Sequence, residues 1–187
     1  AADFGDISIS ESLRGHAAGS NAIRGVYGGG IRYPSGVQNG IEYITMATLG
    51  NGKDFGDLSY SNRLEGGGAG SPTRAVFGGG YSPSAVNTIN YVQIMTTGNA
   101  VDFGDLTAAS GMGSGCSSDI RGVIMLGYDH PTAVVNLDYV TIATLGNAAD
   151  FGDSTEARNN TGSLSSRRRG ISAGRTTSYK STIDYVT

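Results

Sequence analysis

One phrase recurs along the chain. Asp-Phe-Gly-Asp stands at positions 3–6, 54–57, 102–105 and 150–153, each time followed by Ile, Leu or Ser and then by Ser or Thr. Its starts at 3, 54, 102 and 150 lie 51, 48 and 48 residues apart (54 − 3, 102 − 54, 150 − 102). Self-similarity at a period near 50 restricts a chain to repeat architectures, in which a unit buries its apolar face only against its neighbours. The 187 residues therefore read as one domain, 1–187, built from four units.

Each unit carries four strand-like stretches. A small, glycine-rich run comes first, as in Leu64-Glu65-Gly66-Gly67-Gly68-Ala69 and 112–117. An arginine, a small residue and an aliphatic open the second: Arg24-Gly25-Val26, Arg74-Ala75-Val76, Arg121-Gly122-Val123 and Arg169-Gly170-Ile171. The third alternates with period two, Ile41-Glu42-Tyr43, Ile89-Asn90-Tyr91, Leu137-Asp138-Tyr139 and Ile183-Asp184-Tyr185, so that aliphatic and ring share one face and the polar residue takes the other. Gly-Asn turns at 50–51, 98–99 and 146–147 lead into the Asp-Phe-Gly-Asp strand, because Gly and Asn accept the left-handed backbone of tight hairpins. Thirty-one glycines, no tryptophan and only five phenylalanines oppose long helices and suit short strands. The fold class is all-β, and four short antiparallel strands per unit describe a blade of a β-propeller.

The order Arg14-Gly15-His16-Ala17-Ala18, Gly25-Val26-Tyr27-Gly28-Gly29, Ile41-Glu42-Tyr43 and Asp54-Phe55-Gly56-Asp57-Leu58 resembles the kelch repeat. Phe4, Phe55, Phe103 and Phe151 stand where that repeat usually has tryptophan. Runs such as Asn87-Thr88-Ile89-Asn90-Tyr91 and 144–153 resemble repeats in structural proteins of tailed phages, notably of marine cyanobacteria. The resemblance implies four kelch-like, four-stranded blades and a virion setting. The glycine pair after the second strand is lost after Leu126 and Ala173, which puts packing in the third and fourth units in doubt. The last unit stops in its third strand, whereas the chain opens on an orphan Asp-Phe-Gly-Asp. The expectation is a ring closed by the N-terminal strand joining the last blade, leaving no sheet edge open at the join. A fragment of a larger propeller is the alternative.

Most polar motifs read as scaffold. The paired aspartates have the chemistry for calcium or for acid and base catalysis, but a feature copied four times fits turn capping by side-chain oxygens. The glycine triplets lack the lysine and helix of a phosphate loop. Arg24, Arg74, Arg121 and Arg169 would repel if unpaired, and the expectation is that each pairs with an aspartate of a neighbouring blade. His16 and His130 have no counterparts in the other units, so no metal or serine triad assembles. Arg167-Arg168-Arg169 reads as a solvated edge, and Asn159-Asn160-Thr161 is a glycosylation sequon only in a suitable secretory host. No catalytic residue, metal or cofactor is assigned.

The units differ in the loops at 32–38, 81–86, 128–132 and 175–180. Variable loops on a rigid repeated scaffold are where recognition resides. Tyr33, Tyr81, Tyr128 and Tyr179, with His130 beside them, are the expected partner-binding residues, their flat rings suited to sugar or protein contact. A formal charge of −3 gives no field for nucleic acid. The single Cys116 allows no intrachain disulfide, and no apolar run approaches the ~18 residues of a membrane span. The sequence therefore points to a non-enzymatic structural or adhesive module. The resemblance sets it in a virion, against other virion proteins or a host-surface glycan, as a single chain or a homo-oligomer. A secreted, carbohydrate-binding propeller is the alternative.

Overall fold

A computed structural model describes residues 1–187 except 9–11, 62–66, 82, 126, 130–131 and 175–180. The chain is all-β, with four antiparallel sheets arranged as a four-bladed β-propeller. Blade I runs from its inner strand Ala17–Ser20 through Arg24–Gly28 and Gly40–Thr45 to the outer strand Lys53–Asp57. Blade II is Gly68–Gly70, Arg74–Gly78, Thr88–Gln93 and Val101–Asp105, and blade III is Ser114–Ser117, Arg121–Met125, Asn136–Thr141 and Ala149–Asp153. Blade IV comprises Thr161–Ser165, Gly170–Gly174 and Ile183–Val186. Short ladders decorate the loops: Ser12–Arg14 with Ile31–Tyr33 and Gly36–Val37, and Tyr128–Asp129 with Thr132–Ala133.

The recurring phrase encodes a bulge. In blade I the register steps from Ile41 opposite Gly56 to Glu42 opposite Asp54, so Phe55 is the extra residue. The same step occurs at Ile89/Asn90 and at Leu137/Asp138. A bulge re-aims a side chain, and here it turns the phenylalanine inward: Phe55 and Phe103 are buried. Each ring meets the third-strand tyrosine edge-on, Tyr43–Phe55, Tyr91–Phe103 and Tyr139–Phe151 with centroids 6.0, 5.8 and 6.0 Å apart. The core therefore lies between blades rather than within them. Phe55 of blade I clusters with Ala75, Phe77, Val92 and Ile94 of blade II, and Phe103 of blade II with Ile124, Val140 and Ile142 of blade III.

Glycine lets the inner strands touch. A Cβ on Gly68 would strike the Ala18 main chain, and one on Gly115 would strike that of Gly68. After the second strand, Gly29 and Gly30 adopt φ +69° and +103°, and Gly79 and Gly80 +69° and +126°, conformations other residues resist.

The expected closure is not made. Among the described residues Ile183–Val186 pairs only with Gly170–Gly174, and residues 3–6 belong to no sheet. The first Asp-Phe-Gly-Asp instead lies against the turn of blade I: Gly50 N donates to the Phe4 carbonyl and Gly52 N to that of Asp6, both at 2.8 Å. The segment makes toward blade I the turn contacts that the outer strands of blades I and II make toward their next blades, but without the strand pairing those outer strands have.

Candidate functional site: the blade joins and the loop end

The recurrent polar residues hold neighbouring blades together. At the I/II join, Gly98 N donates to the Phe55 carbonyl, Ala100 N to the Asp57 carbonyl, and Asp57 N to Asn99 Oδ1 (2.7, 2.8 and 3.1 Å). Gly146, Ala148 and Asn147 repeat the set on Phe103 and Asp105 at 2.9, 2.7 and 3.1 Å. Asn51 does the same for Asp6. The glycine of the phrase has to be glycine, because a Cβ on Gly56 or Gly104 would collide with the incoming Gly98 or Gly146 carbonyl. The first aspartate caps locally, with Gly5 N donating to Asp3 Oδ1 and Gly152 N to Asp150 Oδ1.

The Ser or Thr that ends the phrase crosses to the next blade. Ser8, Thr107 and Thr155 each give a backbone N–H and a hydroxyl to Glu42, Asp138 and Asp184, over 2.5–3.1 Å. Ser59 N donates to Asn90 Oδ1. These acceptors are the polar face of the third strand, and Glu42, Asn90 and Asp138 are buried. Burial raises the Glu42 pKa, but the Ser8 and Tyr27 hydrogen bonds and the Arg32 charge outweigh it and hold the carboxyl below its ordinary value. In blade IV burial again opposes ionisation of Asp184, and the bonds from Thr155 together with the paired Arg158 prevail. Burial, the hydrogen bond to Glu42 and its charge push the Tyr27 hydroxyl upward. This relay of serine and threonine was visible in the phrase, but its acceptors sit 29–34 residues away.

Among the described residues the repeated arginines do not pair with aspartates. Arg24 Nη1 donates to the Ile94 carbonyl and Arg74 Nη1 to that of Ile142, at 3.1 and 2.9 Å. Each guanidinium also lies over the tyrosine of its own blade, 4.4–4.9 Å from the ring of Tyr43, Tyr91, Tyr139 or Tyr185. Arg24 and Arg74 are thus struts between blades, and each arginine's cation–π contact is worth about 0.5–2 kcal/mol. Nor do the aspartates gather: among the described residues no group of three or more His, Cys, Asp or Glu is placed to hold a metal ion.

The described parts of the variable loops at 32–38, 81–86 and 128–132 follow second strands and precede third strands, so antiparallel pairing sets them at one end of the propeller. Tyr81 pairs with Ala85 and Tyr128 with Ala133. They flank one glycine: Gly111 N donates to the Tyr128 carbonyl, and a Cβ on Gly111 would lie 3.3 Å from the Tyr81 Cβ. Tyr33 stands apart, 52% exposed, with Arg14 stacked on its ring at 5.2 Å and bonded to its hydroxyl at 2.7 Å. His130 and Tyr179 lie outside the described residues. Two of the five expected residues are thus brought together.

Sequence reasoning missed a cleft of about 390 Å³ between blades III and IV, at the opposite end. Phe151 and Val186 form its apolar side, and Arg121 and Arg169 line it. At the other joins the counterparts of those apolar residues are covered by Ile94 with Ala100, and by Ile142 with Ala148.

Compared with known proteins, the chain matches no family model and no curated protein sequence. Its class is set by geometry: an all-β, four-bladed β-propeller.

Proposed function

We propose that the chain is a non-enzymatic structural or adhesive module that binds through the loop end of the propeller. Its setting is a phage virion, and its partners are other virion proteins or a host-surface glycan. One observation carries the reading. The recurrent polar groups, including the Ser/Thr relay and the turn asparagines, are engaged in joining blades, whereas Tyr81 and Tyr128, from two of the loops that differ between units, meet beside Gly111. The kelch-like and phage-like repeats of the sequence support the setting. A carbohydrate-binding propeller outside a virion is the second reading, favoured by the two tyrosines flanking Gly111.

The test is binding of the full chain to host cell surfaces and to purified virions, for the native sequence and for Tyr81→Ala with Tyr128→Ala. The expected result is loss of binding in the double variant with an unchanged melting temperature. Equal binding by the variant would remove the loop end from the account. Displacement by a free oligosaccharide without any virion binding would select the second reading.

A further inference from the structure

At the loop end, one residue adopts a backbone that its side chain resists. Met112 has φ +55°. It stands three residues before Gly115, as Gly15 stands before Ala18 and Asn160 before Ser163, and those inner-strand residues pair with the matching second-strand positions Ile124, Tyr27 and Ser172. Gly15 and Asn160 are left-handed too, at φ +72° and +51°; the counterpart in blade II lies outside the described residues. Glycine and asparagine enter that region readily, whereas a long side chain does so at a cost. Neighbours impose the conformation. Gly111 N donates to the Tyr128 carbonyl, Asn160 N donates to the Met112 carbonyl at 2.7 Å, and a Cβ on Gly127 would strike that Met112 carbonyl. The core gains nothing from the thioether in return. Among the described residues Met112 belongs to no buried cluster, and its half-exposed side chain sets Sδ 3.9 Å from Nδ2 of the exposed Asn160. Strain kept where packing does not require it points to function.

We infer, on the basis of the loop-end reading above, that Met112 is a partner-contacting residue and that the surface it meets is protein, presenting an aliphatic or aromatic side chain. Met112 directly follows Gly111, the residue that Tyr81 and Tyr128 flank. Its thioether is soft and polarisable, packs on aliphatic groups and ring edges, and accepts hydrogen bonds only weakly. Sugar hydroxyls call for strong donors and acceptors. Asparagine would supply them at this place, and Asn160 shows that the fold accepts asparagine there. Methionine beside two tyrosines is instead the chemistry of a protein interface, where Met and Tyr are enriched. The strained backbone fixes where the thioether starts, while its flexible chain adapts to the partner.

The experiment measures melting temperature, and binding of the full chain to purified virions and to host cell surfaces, for the native sequence, Met112→Asn and Met112→Gly. Each variant installs a residue that the same place already holds in blade IV or blade I. Melting temperature should rise by about 2–4 °C, and binding should weaken by about tenfold or more. A merely structural methionine would not move the two in opposite directions. Native binding should survive periodate oxidation of the target's sugars and be lost on proteolysis of the target. Native-strength binding by both variants, or a melting temperature below the native one, overturns the inference; if Tyr81→Ala with Tyr128→Ala still loses binding, the loop-end reading stands without Met112. Binding that periodate abolishes and proteolysis spares puts a glycan in place of protein and also overturns it. Equal binding by the double tyrosine variant overturns the loop-end reading and this inference with it.

Discussion

Blades II and IV are built from the same pattern and end in opposite conditions. In blade II, Ala75, Phe77 and Ile89 are buried between two neighbours, and the polar Asn90 is 2% exposed and bonded by Ser59. In blade IV the matching aliphatic and tyrosine lie open, and Asp184 is held by Thr155 and Arg158. The difference teaches that this repeat has little core of its own. An aliphatic at the start of the third strand is worth what the next outer strand and hairpin cover, and the full burial of such a side chain is worth roughly 1.5–3 kcal/mol.

The contrast is broken most directly in the core. Phe77→Ala, at 0% exposure, is expected to cost about 3–5 kcal/mol, and Leu164→Ala, at 65%, less than about 0.5 kcal/mol, read by urea denaturation. Comparable losses would mean that blade IV is covered. Next in size is a pair of glycines. Gly104 and Gly152 share positive φ (+143° and +128°), so alanine strains both, but only at Gly104 would it collide with the Gly146 carbonyl. Gly104→Ala should therefore cost about 1–3 kcal/mol more than Gly152→Ala. Asn99→Ala removes one hydrogen bond across the I/II join, to Asp57 N, and should lower stability by about 1 kcal/mol.

The smallest effect is acid. Glu42 and Asp184 are held below their ordinary values of 4.5 and 3.8, so each adds stability above those values that is lost as pH falls through the lower folded values. Melting temperature should fall below about pH 4.5, and Glu42→Gln should flatten that fall while lowering stability at neutral pH. A native profile that is flat from pH 5 to 2 would contradict the assignment.

Much of this was legible in the sequence, because the repeat was read in register with itself. The four-strand unit, the second and third strands and the Gly-Asn hairpins follow from alternation and from one phrase repeated, whereas the bulge that turns Phe55 and Phe103 inward does not. What was not legible is what crosses between units. Arg24 was expected to seek an aspartate, but the carbonyl it reaches belongs to Ile94, 70 residues away, and carbonyls leave no mark in a sequence. Alternation set Glu42 and Asp138 opposite the aliphatic and the tyrosine but not that they are buried; the preceding link packed on that face covers them. At the loop end, composition picked out the tyrosines but not that Tyr81 and Tyr128 flank Gly111 while Tyr33 is taken by Arg14.

The central claim is that a third strand is locked by the outer strand and hairpin laid against it, as in blades I to III, whereas among the described residues Ile183–Val186 of blade IV pairs on one side alone. Amide hydrogen exchange tests it strand by strand. Ile183–Val186 should exchange far faster than Thr88–Gln93 and Asn136–Thr141. Protection of Ile183–Val186 equal to that of Asn136–Thr141 would contradict the account.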